Sequence, residues 1–363
     1  MFLALRDLRR MWRRFALVGL VVGLVAMLST VLTGLADGLV RDGTSGLRAL
    51  PVTHLAFAPH SEAVFSRSTI DERSLAKWTR VPGVEASPIG VSFVNAASTD
   101  GGPSIDLALL GVSPGGFLAD RSDARPPAAG LPGLVLASEL RDEGVKVGER
   151  YRIAGSDLTL PVLGFTFAGS YGHVPIAFTS LATWRSISYG NDARGRFSAI
   201  ALRVPADVDV AAVDRAAGTE TKTKTEAYDG SPGFSAETAT MTLIRAFLLV
   251  ISALIVGAFF TVLTVQRTRQ IGLLKALGAS SGYVLRDGIG QIAIVVLAAT
   301  VIGAAAGAAV IGLLDGGPVP VELSIGGVLT SAALLVLTGI AGSLVAFRRI
   351  TKVEPAIALG VEA

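Results

Sequence analysis

Few residues of this chain have the type and spacing that catalysis needs. Its 363 residues include no cysteine, which removes disulfides, thiolate metal sites and a cysteine nucleophile. Three histidines, His54, His60 and His173, show no metal-ligand spacing. His54 and His60 read as ordinary surface or loop residues. The neighbouring carboxylates Asp71/Glu72 and Asp142/Glu143 stand in helix- or turn-like surroundings and read as solvated charge. Neither G-x-S-x-G nor H-E-x-x-H occurs, and no G-x-x-x-x-G-K-[ST] loop is present to cradle nucleotide phosphates. The chemistry-bearing residues therefore do not describe an enzyme.

A different pattern stands at 266–280, QRTRQIGLLKALGAS, a part-basic, part-apolar piece between two nearly uncharged stretches. If 267–277 is helical, steps of about 100° per residue put Ile271, Leu273, Leu274 and Leu277 on one side. Gly272, Ala276, Arg269 and Lys275 fall on the other. Gly278 is a natural stop, and Ser280 or Ser281 could cap the helix that follows. Two readings stay open on these residues alone. The segment is an interfacial helix whose arginines, Arg267 among them, anchor topology, or its small, basic side lets another body come close.

The elements around it are membrane spans. Hydrophobic residues make up 51% of the chain and charged ones 17%, and mean hydropathy is positive; together these point to a membrane protein. Four windows have the length and apolarity to cross a bilayer: Phe15–Ala36, Ala246–Val265, Gly288–Leu314 and Leu323–Phe347. A cleaved signal peptide would also begin basic and continue apolar, but its apolar region would be shorter and an A-x-A-like site would follow. Basic residues cluster at the N-terminus (Arg6, Arg9, Arg10, Arg13, Arg14), in 266–287 (Arg267, Arg269, Lys275, Arg286) and after Phe347 (Arg348, Arg349, Lys352), while 315–322 has none. By the positive-inside bias these all lie on the cytoplasmic side. The layout expected is a cytoplasmic segment 1–14, a first span 15–36, an extracytoplasmic domain 37–242 and a second span 243–265. A cytoplasmic segment 266–287, a third span 288–314, a short outer loop 315–322, a fourth span 323–347 and a cytoplasmic tail 348–363 complete it. No ionisable group lies well inside a span, since Arg245 borders the second and Gln291 is only polar; an ion or proton path is not indicated. Gly19/Gly23 and Gly303/Gly307 are G-x-x-x-G pairs that let helix backbones approach.

The outer segment reads as a folded α/β domain. Strand-like runs (LALLGV, GLVLAS, RYRIAG, AIALRV) alternate with turn-forming Gly, Pro, Asp and Ser. TIDERSLAKWTRVPGVEAS reads as a helix with Asp71 in its first turn, stopped near Pro82–Gly83, and ADVDVAAVDRAAG as a second helix ending at Gly218. Two subdomains are expected, one from about 44–100 and 198–240, the other a strand-rich insertion over about 101–197. Within it the Pro- and Ala-rich DRSDARPPAAGLPG is expected to form an exposed loop.

QRTRQIGLLKALGAS resembles the cytoplasmic coupling segment of the FtsX/MacB-type (type VII) ABC transporter permeases. The tail FRRITKVEPAIALG resembles that family's closing pattern at Arg349, Pro355, Ala356 and Leu359, and one span, a large outer domain and three further spans is also its layout. The resemblance implies a plasma-membrane, multi-pass permease with both termini cytoplasmic, surrounded by lipid and paired with a second permease protomer in a homodimer or a heterodimer. It implies a cytoplasmic ABC ATPase subunit gripping Arg267, Arg269, Ile271, Gly272, Leu274, Lys275, Ala276, Leu277 and Gly278. ATP would act through that subunit, with no cofactor of the chain's own and no nucleic-acid partner.

Residues 231–280, with the opening MFLALRDLRRMWRRFALVGLVVGLVAMLSTVLTGLADGL, resemble the haem-exporting permeases of Gram-positive bacteria. That resemblance implies export of an amphipathic compound such as haem. A haem needs an axial ligand beside an apolar slot, and Met27, Glu237 and Met241 are candidates near the outer ends of the first two spans. Each has a plainer reading: packing for the methionines, a first-turn carboxylate for Glu237. Two alternatives remain, a non-transporting signal transmitter that regulates an extracytoplasmic cell-wall hydrolase, and a lipoprotein-release permease.

Overall fold

In the computed structural model, which describes residues 12–118, 132–192, 195–266, 281–317 and 319–350, the first helix does not stop where its apolar window does. Helix α1 runs Trp12–Ala49, 38 residues. At about 1.5 Å per residue it is ~57 Å long, nearly twice the ~30 Å hydrocarbon thickness. Apolarity ends at Asp37, but nothing in DGLVRDGTSGLRA forbids helix, and the first proline is Pro51. The second membrane helix likewise begins early, at Phe234, just after Pro232–Gly233.

The chain divides into two units, Val40–Glu237 and the helical remainder on either side of it. In the helical unit four helices are long and apolar enough to cross a membrane: the first part of α1, then α6 (Phe234–Gln266), α7 (Ser281–Leu314) and α8 (Ile325–Ile350). They meet around Phe15, Val22, Val256, Ile292, Val296 and Leu335. The two G-x-x-x-G pairs pack on each other's helices. A methyl at Gly303 would collide with the Gly23 carbonyl oxygen, one at Gly307 would meet the Met27 carbonyl at 2.8 Å, and Gly19 and Gly23 both face Ala299. Helices α6 and α8 approach in the same way, through Gly257 and Gly342.

The other unit, Val40–Glu237, is built on a ten-stranded sheet. Its strands are β1 His54–Phe57, β2 Glu85–Ser98, β3 Ile105–Val112, β4 Leu134–Ala137, β5 Arg150–Ile153, β6 Thr159–Thr166, β7 Ser170–Tyr171, β8 Val174–Ser180, β9 Ala199–Arg203 and β10 Glu220–Thr223. The order is β10-β1-β9-β2-β3-β8-β4-β6-β5, with β7 paired to β8. The long β2 pairs with three different strands. Its first part, Glu85–Ile89, pairs with β9; Ile89–Ala96 pairs with β3, and Ala96–Ser98 with β5. The last pairing closes β2-β3-β8-β4-β6-β5 into a ring without free edges. Five ring strands come from within 101–197, but the ring is completed by a strand from outside that range.

Short helices cover the sheet. Helix α2 (Glu72–Thr79) is capped by Asp71, one residue ahead of the first turn expected from sequence, whose carboxylate accepts from the backbone of Arg73 and Ser74. The one-turn α3 (Glu139–Asp142) follows β4, and α4 (Leu181–Tyr189) follows β8. Helix α5 (Val210–Ala217) ends on left-handed Gly218. The buried Trp184 of α4 lies against Gly90 and Gly111, where any side chain would overlap the indole, and its Nε1 donates to Ser92 Oγ at 3.0 Å.

Candidate functional site

A group of three ionisable side chains, Asp42, His173 and Glu237, lies where the chain enters and leaves the outer unit. Strands β7 and β8 pair Ser170 with Pro175 and Tyr171 with Val174, leaving a two-residue turn, Gly172-His173. Both residues are left-handed, with φ of 60° and 62°, as a type I′ hairpin requires. The turn is seated on α1. Gly172 N–H donates to the Gly43 carbonyl at 2.9 Å, Ser170 N–H to Ser45 Oγ at 2.8 Å, and the Ser170 hydroxyl to the Asp42 carbonyl. From the segment before α6, the Ser231 hydroxyl donates to the same Gly43 carbonyl at 2.9 Å. A Cβ at Gly43 would lie 3.2 Å from the His173 ring.

His173 reaches both helices. Its Nδ1 is 2.8 Å from Asp42 Oδ2 on α1, and its Nε2 is 3.1 and 3.2 Å from the two carboxylate oxygens of Glu237, in the first turn of α6. Neutral imidazole has one N–H; donating to a carboxylate on each side takes both, so this geometry belongs to the imidazolium. Burial lowers the His173 pKa, but the hydrogen bond His173 donates to Asp42 and the charge of Glu237 outweigh it, and the pKa is raised above 6.5. The carboxylates sit on opposite ring nitrogens and so do not converge on one point. Among the described residues no metal-binding cluster is found.

The candidates read from sequence are dispersed. Met27 lines an apolar groove of about 530 Å³ between α1 and α7, with Gly19, Gly23, Ile302 and Gly303. Met241 is half-buried on α6 and does not line that groove. Glu237 is bonded to His173. Arg267, Arg269, Ile271, Gly272, Leu274, Lys275, Ala276, Leu277 and Gly278 lie outside the described residues, as do Pro355, Ala356, Leu359 and most of DRSDARPPAAGLPG. Sequence reasoning left Asp42 and the role of His173 unread. The partners stand 131 and 64 residues from the histidine; the only local signal was a Gly-His pair between two β-prone runs. Arg245 also has a partner not foreseen. It donates to the Thr33 carbonyl at 3.3 Å and stands 3.8 Å from Asp37.

Known proteins resemble the chain from end to end. Residues 242–355, which take in most of α6 and the whole of α7 and α8, match the family described as FtsX-like permease C-terminal. The putative hemin transport system permease protein HrtB of Staphylococcus haemolyticus is 25% identical over 369 residues, covering 99% of each chain. Its counterpart in Staphylococcus epidermidis is 22% identical over 366 residues, again 99% of both. An uncharacterized ABC transporter permease of Mycobacterium tuberculosis is 24% identical over the same share. With four membrane-capable helices and a large α/β domain between the first and second, the chain is similar along its length to ABC transporter permeases and matches the FtsX-like permease C-terminal family over 242–355.

Proposed function

We propose that the chain is the permease subunit of an ATP-driven exporter of an amphipathic compound, haem being the candidate, and that it works by mechanotransmission. One structural observation carries the mechanism. Both crossings between the two units, at Leu39/Val40 and at Glu237/Thr238, fall inside unbroken helices, α1 and α6. A flexible linker would dissipate a push; a continuous helix transmits it. Backbone-to-backbone packing of α1 on α7 and of α6 on α8 stiffens the same helices.

In this reading a separate cytoplasmic ATPase grips 267–278, both termini are cytoplasmic, and a second permease copy completes the assembly. Haem is suggested by the hemin transport naming of the Staphylococcus relatives. Met27 supplies a thioether beside an apolar groove, a fitting neighbour for a porphyrin edge or iron. Glu237 is engaged by His173 and is not offered as an iron ligand, and Met241 offers a second thioether.

The test is haem tolerance in a strain deleted for this gene, complemented with wild type or Gly272→Trp. The reading expects deletion to sensitise cells and only wild type to rescue them. Unchanged tolerance on deletion would remove haem as the substrate.

A further inference from the structure

We propose that His173 is a proton-dependent clasp that ties the outer end of α1 to the first turn of α6, so that these two helix segments are held most tightly together while its ring is doubly protonated. The inference rests on reading α1 and α6 as membrane-entering helices, and it does not depend on what is transported.

The geometry makes the requirement strict. Asp42 takes one ring nitrogen and Glu237 the other, and loss of one proton turns a donor into a lone pair facing a carboxylate. One contact then becomes repulsive, and two carboxylates from different helices are left sharing a neutral ring. The backbone and hydroxyl bonds of Gly172 and Ser170 go to α1, and the Tyr171 hydroxyl, donating to the Gly230 carbonyl at 3.3 Å, also reaches the segment ahead of α6. Deprotonation therefore leaves the hairpin on α1 and weakens its hold on α6.

Other ionisable groups stand near the ring. Glu139 of α3 accepts from Gly169 N–H and lies within the field of Asp42, and its own pKa is raised, chiefly by burial. Asp106 of β3 and Glu143, just after α3, line a cleft of about 600 Å³ that His173 borders. On α1, Arg41 adjoins Asp42, and Arg48 is directed to Thr44 and the Tyr228 ring. The ring is 33% exposed, so it exchanges protons with the surrounding solution, and its pKa is raised from the ordinary histidine value.

The chain has no cysteine, so spin labels can be placed at Arg41→Cys and Ser235→Cys without background. Electron–electron distances in the full chain in nanodiscs should show one narrow population at pH 5.5. A second, broader population should grow in with a one-proton midpoint above 6.5. His173→Arg, which keeps a permanent charge and donors on two sides, should hold the narrow population at both pH 5.5 and pH 9; His173→Gln should show the broad one at both. A wild-type distribution unchanged between pH 5.5 and pH 9 would overturn the clasp, as would a His173→Arg protein that titrates like wild type. Haem tolerance is not read in this experiment, so loss of the haem reading and loss of the clasp are separate results.

Discussion

Replacing Gly303 by alanine tests the contact that sets the α1–α7 distance. The added methyl would collide with the Gly23 carbonyl oxygen and lie 2.8 Å from Ala26 Cβ and 2.9 Å from the Gly23 carbonyl carbon. Two of these three atoms are backbone, so no rotamer change relieves the overlap and the helices must part. Overpacking of this kind costs up to about 3 kcal/mol. Alanine recovers ~1 kcal/mol of helix propensity over glycine. The net loss is about 2 kcal/mol, a fall of roughly thirtyfold in the folded-to-unfolded ratio. Gly290→Ala on the same helix is the control, because a methyl there meets nothing within 4 Å. It should gain up to ~1 kcal/mol, leaving the two variants about 3 kcal/mol apart. Equilibrium unfolding of the purified chain in mixed micelles measures both. A Gly303→Ala protein as stable as Gly290→Ala would refute the close approach of these helices.

Trp184→Ala should destabilise the outer domain by ~3–5 kcal/mol, since the indole is 2% exposed and fills the space over Gly90 and Gly111; calorimetry of the full chain should show the outer-domain transition lowered and the other unchanged. Leu274→Asp should cut co-purification of the ATPase severalfold, and wild-type recovery would leave 266–280 as a membrane anchor only. The His173 contribution to stability has a defined sign. With the folded pKa raised, it is fully present below the unfolded value of ~6.5 and lost as pH rises through the folded value. Melting temperature should therefore fall across that window in wild type and not in His173→Arg.

The membrane spans were legible because a bilayer demands about twenty consecutive apolar residues whatever else the chain does. The same signal understated the helices. Apolarity marks the hydrocarbon boundary and not the end of hydrogen bonding, so the turns of α1 beyond Ala36 and those of α6 before Leu243 were invisible to it. G-x-x-x-G pairs at 19/23 and 303/307 announced close packing, but which helices meet depends on tertiary contacts that spacing does not encode. In the outer domain, LALLGV, GLVLAS, RYRIAG and AIALRV are strands β3, β4, β5 and β9. The multiple pairing of β2 was hidden because its partners β3, β5 and β9 all follow it, two of them far along the chain. The clasp was hidden for the same reason: Asp42 and Glu237 read as ordinary helix-end charges until the hairpin carrying His173 is folded against them.

The most direct test of the transport account is ATP-dependent transfer of haem from nanodiscs, holding the permease and its ATPase, to an apo-haem-binding protein in solution. The account predicts that ATP accelerates transfer with wild type and not with Gly272→Trp. Transfer by wild type at the same rate with and without ATP would contradict it.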